Sequence, residues 1–365
     1  MLRMERRSLS TLTSTLFALA LLSTAARAQQ TVLPLWPTVT PESAQTAEPE
    51  ADVTKDSDAL ISGHRSIRLA NVSNPTLTVY SAHDPTGAAA LVFPGGGYQR
   101  LAWTGEGTDV CDWLDRIGVT CILVKYRVPQ PKGDAGHYPA DFADLEDAQQ
   151  AMRLTRAHAA EWHIDPAKIG VVGFSAGANL AALLSTHPDD HHVESTPAAA
   201  EADPKIDARA NFAIIVYPAY LALDPDMTTL NPTYTPNAFT PPTFLLQAEN
   251  DKSYGRNAPV YYQALAAAKI PAELHMFATG GHGFGVHPAG MPEEHWTIFA
   301  TFWLRSINMI PPAPARRPDD KAPLALPSPA TNPMPCPTPS ATQPPNPNQP
   351  PNPNDPLHPP NTPCI

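Results

Sequence analysis

The stretch of sequence that decides the fold of this chain is residues 169–177, Ile-Gly-Val-Val-Gly-Phe-Ser-Ala-Gly. Its first six residues form a nearly continuous apolar run, which is typical of a strand buried on both faces of a sheet. A segment with helical periodicity follows at residues 178–186. The pattern Gly-x-Ser-x-Gly between a strand and a helix is typical of a sharp turn that presents a nucleophilic serine. We therefore expect Ser175 to lie at the carboxyl end of this strand.

Outward from this turn, short apolar segments alternate with longer segments of helical periodicity. The predicted strands cover residues 76–80, 88–93, 119–126, 168–174, 212–217, 243–247 and 273–277, and the predicted helices cover residues 106–117, 141–163, 178–186, 257–268 and 293–307. This alternation predicts an α/β fold with a mostly parallel sheet of roughly eight strands and helices on both faces. The connections are too short for a large cap domain.

The first 28 residues have the pattern of a secretory signal peptide. Three arginines precede an apolar run that contains Ser and Thr, and the run ends in Ala26-Arg27-Ala28, a small-x-small cleavage site. We expect cleavage after Ala28 and a secreted or periplasmic mature protein without a membrane span. A single-pass membrane anchor is the alternative.

Three further segments follow the predicted signal peptide. Residues 29–60 are polar and predict an extended N-terminal segment, and residues 61–310 predict the folded domain. Residues 311–365 contain 21 of the 45 prolines. Proline lacks an amide donor and fixes φ, so this composition predicts a disordered, polyproline-rich tail.

The four cysteines divide between the folded domain and the tail. Cys111 and Cys121 lie on a predicted helix and on the strand after it, whereas Cys336 and Cys364 lie in the tail. An oxidising compartment permits disulfides, and we expect each pair to bond within itself. Free thiols are the alternative.

The charge of the chain limits its partners. A net charge of −11, with 16% charged residues, does not suit a sequence-independent binder of nucleic acid, which needs a basic surface. The polar loop at residues 185–209 contains three histidines and four aspartates, among them His187 and Asp189. These residues lack a strong metal-ligand spacing, so a solvated insertion is the preferred interpretation. We expect neither a metal nor an organic cofactor.

A nucleophilic serine needs a general base, and the best candidate is His282. It lies in residues 280–285, Gly-Gly-His-Gly-Phe-Gly, after the last predicted strand, where flanking glycines leave it free to approach the serine. Three other histidines are weaker candidates for the base, because His275 lies within a predicted strand and His287 and His295 lie beyond the loop.

The histidine in turn needs an acid that orients its ring and stabilises its cation. Glu249 and Asp251 both follow the predicted strand at residues 243–247. We prefer Asp251, because its position leaves room for the chain to turn toward the histidine, and Glu249 remains the alternative.

Backbone amides are expected to stabilise the oxyanion. Ala176 follows the serine and opens a helix, and Gly96 and Gly97 belong to a glycine-rich loop after the strand at residues 88–93. Tyr98 and Trp103, close to this loop, are candidates for stacking on a substrate ring, with core packing as the alternative.

Several motifs together resemble the secreted bacterial esterases of the acetyl-xylan esterase group, which are α/β-hydrolases. The motifs are Val-Phe-Pro-Gly-Gly-Gly-Tyr at residues 92–98, Glu106-Gly107, Lys-Tyr-Arg-Val at residues 125–128, and the glycine-flanked Ser175 and His282. The resemblance covers about residues 60–308. The acetyl-xylan esterase group is itself related to hormone-sensitive-lipase-like esterases and to prolyl-oligopeptidase-type hydrolases. Pro94 stands where lipase-like esterases often carry histidine, which favours the carbohydrate esterases.

The resemblance implies an α/β-hydrolase catalytic domain with Ser175 as nucleophile, Asp251 as acid and His282 as base. It also implies oxyanion amides at Gly96, Gly97 and Ala176. The function expected is removal of short acyl groups, chiefly acetyl, from plant polysaccharide such as xylan, with an acylated carbohydrate or another small ester as substrate. The alternatives are a prolyl-oligopeptidase-like peptidase, a general short-chain esterase, and a surface-associated binding protein with a vestigial hydrolase fold.

Overall fold

The computed structural model describes residues 30–36, 48–61, 63–129, 143–189, 205–223, 227–287 and 290–313. The chain divides into two units, residues 1–313 and 314–365, and the description concerns the first. The predicted signal peptide, the proline-rich tail with Cys336 and Cys364, and most of the histidine-containing loop lie outside the described residues.

Eleven strands and five α-helices occur in the described part of the chain. The strands are β1 (Thr31–Pro34), β2 (Ala51–Asp52), β3 (Arg68–Ala70), β4 (Thr76–Tyr80), β5 (Ala89–Phe93), β6 (Leu101–Ala102), β7 (Thr120–Lys125), β8 (Ile169–Phe174), β9 (Ala213–Val216), β10 (Thr243–Ala248) and β11 (Ala272–Phe277). The helices are α1 (Asp109–Arg116), α2 (Ala143–Ala157), α3 (Ala176–Thr186), α4 (Asn257–Ala267) and α5 (Trp296–Ser306).

Eight of the strands form one sheet, in the order β1-β4-β7-β5-β8-β9-β10-β11. The pairs β1–β4 and β4–β7 are antiparallel, and the strands from β7 to β11 are parallel. The short strands β2, β3 and β6 form a second, antiparallel sheet. The predicted α/β fold with a mostly parallel eight-stranded sheet is therefore confirmed.

The core lies on both faces of the large sheet, as the apolar strands predict. Along β5, Leu91 and Phe93 pack into the cluster that includes α2, α3 and α4, whereas Ala90 and Val92 pack into the cluster that includes α1 and α5. Successive side chains of a strand point to opposite faces, so a strand covered on both sides must be apolar throughout. In the described ranges, no large cap domain stands over the sheet.

The N-terminal segment departs from the expectation of an extended chain outside the domain. Thr31–Pro34 forms the edge strand β1 and pairs with β4. Leu35 is fully buried in the core, and the indole Nε1 of Trp36 donates to Asp147 Oδ1 at 2.8 Å. The folded domain therefore begins well before residue 61, because a buried side chain and a paired strand tie this segment to the sheet.

Three of the predicted helices differ from the helices observed. The helix predicted over residues 141–163 ends at Ala157, and the one predicted over 293–307 begins with a 3₁₀ turn, Pro292–His295. A π-helical turn, Thr104–Thr108, precedes α1. Part of the predicted helix at residues 106–117 is thus wound more widely, and this turn buries Glu106.

A disulfide joins Cys111 on α1 to Cys121 on β7, which agrees with the pairing expected for the first half of the chain. Both half-cystines are buried, so the bond ties a covering helix to the sheet. Over the residues described above, no helix combines the length and apolar character needed to cross a membrane.

Candidate active site

The turn that carries Ser175 joins β8 to α3. Ser175 has a φ of +53°, which L residues adopt rarely and at a cost in free energy. A Cβ at Gly177 would collide with the carbonyl oxygen of Phe93, and one at Gly173 would collide with that of Gly177. Both glycines are therefore required by the close passage of the chain, as the sequence pattern predicts.

Ser175, His282 and Asp251 form one hydrogen-bonded chain. Ser175 Oγ lies 2.7 Å from His282 Nε2, and His282 Nδ1 lies 2.7 Å from Asp251 Oδ2. The three residues follow β8, β11 and β10, whose carboxyl ends lie at the same edge of the sheet because the strands are parallel. This geometry is what a serine nucleophile, a general base and an orienting acid require.

Asp251 is held by more than the histidine. Its Oδ1 accepts hydrogen bonds from the amides of Ser253 and Tyr254 at 3.1 and 3.0 Å, and its Oδ2 also accepts from Gln247 Nε2 at 3.1 Å. Burial raises the pKa of Asp251, but the hydrogen bond and charge of His282, together with the two amides, hold it below the usual value. The carboxylate is therefore ionised and fixed beside the imidazole.

Glu249, the alternative acid, does not join this chain. Glu249 is exposed, and its backbone amide donates a hydrogen bond to the carbonyl oxygen of Phe277 at the end of β11. The structure therefore brings Asp251, and not Glu249, to the histidine. Sequence position alone leaves the two acids open, because both lie within four residues of the end of β10.

An open cleft of about 290 Å³ lies above Ser175. Gly96, Gly97 and His282 line the same cleft. Gly96 and Gly97 have φ angles of +134° and +66°, and a Cβ at Gly96 would collide with the carbonyl oxygen of Arg100. The loop thus depends on glycine, and both of these residues lie beside the cleft.

Ala176 opens α3 directly after the serine. The first amides of a helix have no partner within the helix and lie at the positive end of its dipole. Of the predicted oxyanion residues, Gly96 and Gly97 line the same cleft as Ser175, and Ala176 follows the serine at the start of α3.

The two residues predicted to stack on a substrate ring lie elsewhere. Tyr98 has no exposed surface, and its hydroxyl donates to Asn179 Oδ1 at 2.7 Å beneath the loop. Trp103 packs against both core clusters and does not line the cleft. For Tyr98 this corrects the stacking expectation, because a side chain without exposed surface cannot stack on a bound sugar. The half-buried Trp103 fits the alternative of core packing.

Two other tyrosines line the cleft, and sequence reasoning missed them. The ring of Tyr254 lies 4.9 Å from that of His282, and the ring of Tyr220 lies 5.5 Å from that of Tyr254, measured between centroids. The available signal was their position in the loops that follow β9 and β10, at the sheet edge that carries the serine.

A buried acid close to Ser175 and His282 was also missed as a site residue. Glu106 lines the cleft but is only 4% exposed, and it accepts hydrogen bonds from the Gly95 amide and the Tyr217 hydroxyl, both at 2.8 Å. Burial raises its pKa above the usual value, opposed by the bonds from Tyr217 and Gly95 and by the charges of His282 and Arg68. The available signal was the pair Glu106-Gly107 among the motifs.

The part of the chain with described coordinates contains no group of three or more His, Cys, Asp or Glu side chains suited to a metal. The reactive groups that the structure does bring together are a serine, an imidazole and a carboxylate.

Comparison with known proteins finds a matching family model and several related enzymes. A family model described as BD-FAE matches residues 94–262. The acetylxylan esterase of Xylanibacter ruminicola is 28% identical over 272 residues, which cover 68% of this chain and 51% of that protein. Endo-1,4-beta-xylanase B of Butyrivibrio fibrisolvens is 29% identical over 231 residues, covering 58% of this chain and 35% of that one. The chain thus spans about half, or less, of the length of these two relatives.

Solved structures with the same fold include two esterases. The acetyl ester-xyloside bifunctional hydrolase of Caldicellulosiruptor lactoaceticus is 26% identical, with a TM-score of 0.55, over 77% of this chain and 97% of that one. Esterase 2 of Thermogutta terrifontis is 26% identical, with a TM-score of 0.54, over 67% of this chain and 93% of that one. The chain therefore has the α/β-hydrolase fold and is similar to acetylxylan esterases and other carboxylic ester hydrolases.

Proposed function

We propose that this chain is a serine esterase that removes short acyl groups, chiefly acetyl, from plant polysaccharide such as xylan. The observation that carries the proposal is the chain of two 2.7 Å contacts from Ser175 through His282 to Asp251. The similarity to an acetylxylan esterase and to an acetyl ester-xyloside hydrolase supports the substrate class. The signal-peptide pattern at residues 1–28 makes secretion or periplasmic export part of this proposal.

In the proposed acylation step, Ser175 Oγ attacks the ester carbonyl carbon while its proton passes to His282 Nε2. Asp251 accepts the hydrogen bond from Nδ1 and stabilises the imidazolium that forms. Collapse of the tetrahedral intermediate breaks the bond to the sugar oxygen, which leaves with the proton from His282. Water then attacks the acyl-serine by the same route and releases acetate and free Ser175.

The negative oxygen of each tetrahedral intermediate would lie against the amides of Gly96, Gly97 and Ala176. Removing one donor of this kind from a serine hydrolase typically costs about 2.7–4 kcal/mol of transition-state stabilisation. The left-handed glycine conformations support this role, because they let main-chain amides approach a ligand without a side chain in between.

The aromatic side of the cleft supports a sugar as the leaving group. His282 must return its proton to the alcohol oxygen, so the alcohol part of the ester belongs on the histidine side of the cleft. Tyr254 lies on that side, and Tyr220 lies next to Tyr254. Aromatic faces suit the apolar face of a sugar ring, and the cleft is open to solvent.

The proposal is tested with the purified chain and its Ser175→Ala variant. We expect hydrolysis of p-nitrophenyl acetate by the wild type and a fall in kcat of about 10⁶-fold in the variant. Equal rates for the two proteins would overturn the catalytic assignment. Acetate release from acetylated xylan, compared with feruloyl and lipid esters, tests the substrate class. Preferential cleavage of prolyl peptides would support a peptidase instead.

A further inference from the structure

A continuous set of hydrogen bonds joins the glycine-rich loop to the histidine loop through two buried side chains. Glu106 Oε2 accepts from the Gly95 amide, and Glu106 Oε1 accepts from the Tyr217 hydroxyl, both at 2.8 Å. The Tyr217 oxygen in turn accepts from the Gly285 amide at 3.2 Å. The four residues come from four separate parts of the chain, and the proposed mechanism uses none of them.

The two ends of this set are close to the proposed reacting groups. Gly95 immediately precedes Gly96 and Gly97, and Gly285 lies three residues after His282. A Cβ built on Gly95 would lie 2.6 Å from Glu106 Oε2 and 2.8 Å from Ser175 Cβ. The carboxylate therefore lies directly behind the nucleophile, separated from it only by a glycine.

Further contacts hold Tyr217 and Gly285 in place. Tyr217 has no exposed surface, and its ring packs against those of His282 and Phe284, at centroid distances of 5.3 and 4.6 Å. Gly285 is fixed from its other side, because its carbonyl oxygen accepts from Trp296 Nε1 at 2.7 Å. A buried hydrogen-bond network in which every polar group has a partner favours one specific geometry. Any other geometry would leave a buried polar group unpaired, which destabilises the fold.

We propose that Glu106 and Tyr217 are positioning residues that fix the oxyanion loop and the histidine loop relative to each other. This role rests on the proposed function, since it serves attack by Ser175. The carboxylate sets the orientation of the Gly95 peptide and, through it, of the amides that follow. Tyr217 transmits the same constraint to the loop of His282. Misplacement of reacting groups by about 1 Å can lower a rate about 10²-fold.

The test uses Tyr217→Phe, which removes one oxygen atom, and Glu106→Gln, which retains the size of the side chain. The glutamine can still accept from Gly95, but its amide group cannot accept from the Tyr217 hydroxyl. We expect each variant to lower kcat for p-nitrophenyl acetate about 10- to 100-fold, with KM within about twofold of the wild-type value. We call the set of hydrogen bonds from Gly95 through Glu106 and Tyr217 to Gly285 the bridge. The kcat of the double variant should be little lower than that of either single variant, because both substitutions interrupt the same bridge.

Tyr234→Phe is the matched control. Tyr234 is also a buried tyrosine, and its hydroxyl contacts Asn179 Oδ1 at 3.2 Å rather than a group of the bridge. A merely structural role for the Tyr217 hydroxyl predicts equal effects of the two substitutions. We expect the control to keep the wild-type kcat, even where its thermal unfolding midpoint falls as far as that of Tyr217→Phe.

A fluorophosphonate probe separates this inference from the proposed function. Ser175 Oγ attacks phosphorus, fluoride leaves, and His282 takes the serine proton, so labelling requires no particular ester. An unlabelled wild type would overturn the proposed function and the bridge together. Labelling of the wild type with slower labelling of both bridge variants supports the bridge. Labelling of all proteins at the same rate overturns the bridge alone.

Discussion

Asp251 Oδ2 lies 2.7 Å from His282 Nδ1, across 31 residues of chain. The two residues follow the neighbouring parallel strands β10 and β11, so the sheet brings their loops to one edge. The tight turn after β10, closed by amides of residues 253 and 254 on the carboxylate, points Asp251 toward the histidine.

Replacement of Asp251 tests whether this contact serves catalysis. In Asp251→Asn, the amide no longer stabilises the imidazolium, and we expect kcat for p-nitrophenyl acetate to fall about 10⁴-fold while the fold is retained. Glu249→Gln is the matched control and should keep kcat within about twofold of the wild-type value. The reverse pattern would assign the acid to Glu249. The measurement is steady-state kinetics with circular dichroism on each variant.

The stability of the protein should depend on pH through the same carboxylate. The pKa of Asp251 in the folded chain lies below its usual value, so the group stabilises the fold at pH values above the unfolded pKa of about 3.9. This contribution is lost as the pH falls through the folded pKa. We therefore expect the difference in unfolding free energy between wild type and Asp251→Asn to shrink from pH 6 to pH 3. Urea unfolding at a series of pH values measures it, and a constant difference would contradict the prediction.

The cleft tyrosines should contribute to binding a sugar but not a small alcohol. We expect Tyr254→Ala to raise KM for an acetylated xylo-oligosaccharide about tenfold, the loss of about 1.4 kcal/mol of ring contact. KM for ethyl acetate, which has no ring, should stay within about twofold of wild type. Phe302→Ala removes an exposed aromatic side chain of α5 and is the control for loss of any surface ring. Equal changes in KM for both substrates would contradict a ring-binding role.

The edge strand β1 should contribute to stability. Leu35→Ala removes a fully buried side chain, and we expect it to lower the unfolding free energy by about 2–5 kcal/mol. Val32→Ala changes a side chain on the same segment that is 56% exposed, and its effect should stay below about 0.5 kcal/mol. Urea denaturation measures both. Similar values for the two variants would mean that the segment is not packed as described.

The disulfide should stabilise the fold as well. Cys111 and Cys121 are ten residues apart, and closing a loop of this length in the unfolded chain is worth about 2–3 kcal/mol in the chain-entropy model. We expect dithiothreitol to lower the urea midpoint of the wild type and to leave that of a Cys111→Ser, Cys121→Ser double variant unchanged. A wild-type midpoint that is insensitive to full reduction would contradict this contribution.

Much of the fold is encoded locally, and so the sequence predicts it. The apolar run of β8, the two glycines and the start of α3 lie within nine residues, and their geometry depends on sterics between near neighbours. The periodicities of the other strands and helices are local in the same way. The order of Ser175, Asp251 and His282 along the chain likewise follows from motifs beside predicted strands.

The rest depended on contacts between distant parts of the chain. Thr31–Pro34 is a strand of the large sheet only because β4 lies beside it, and its own four residues give little signal. Tyr98 is buried, and its hydroxyl donates a hydrogen bond to Asn179, which lies 81 residues away in the chain. Glu106 meets Tyr217 across 111 residues.

The sequence by itself therefore determined the fold class and the candidate nucleophile and base of this chain, since strand periodicity and turn sterics act between near neighbours. Only the tertiary structure decided which acid meets His282, which tyrosines line the cleft and what links the two active-site loops. The physical reason is that a side chain's partner is set by the strand order and packing of the whole sheet, and these bring together residues that no local pattern connects.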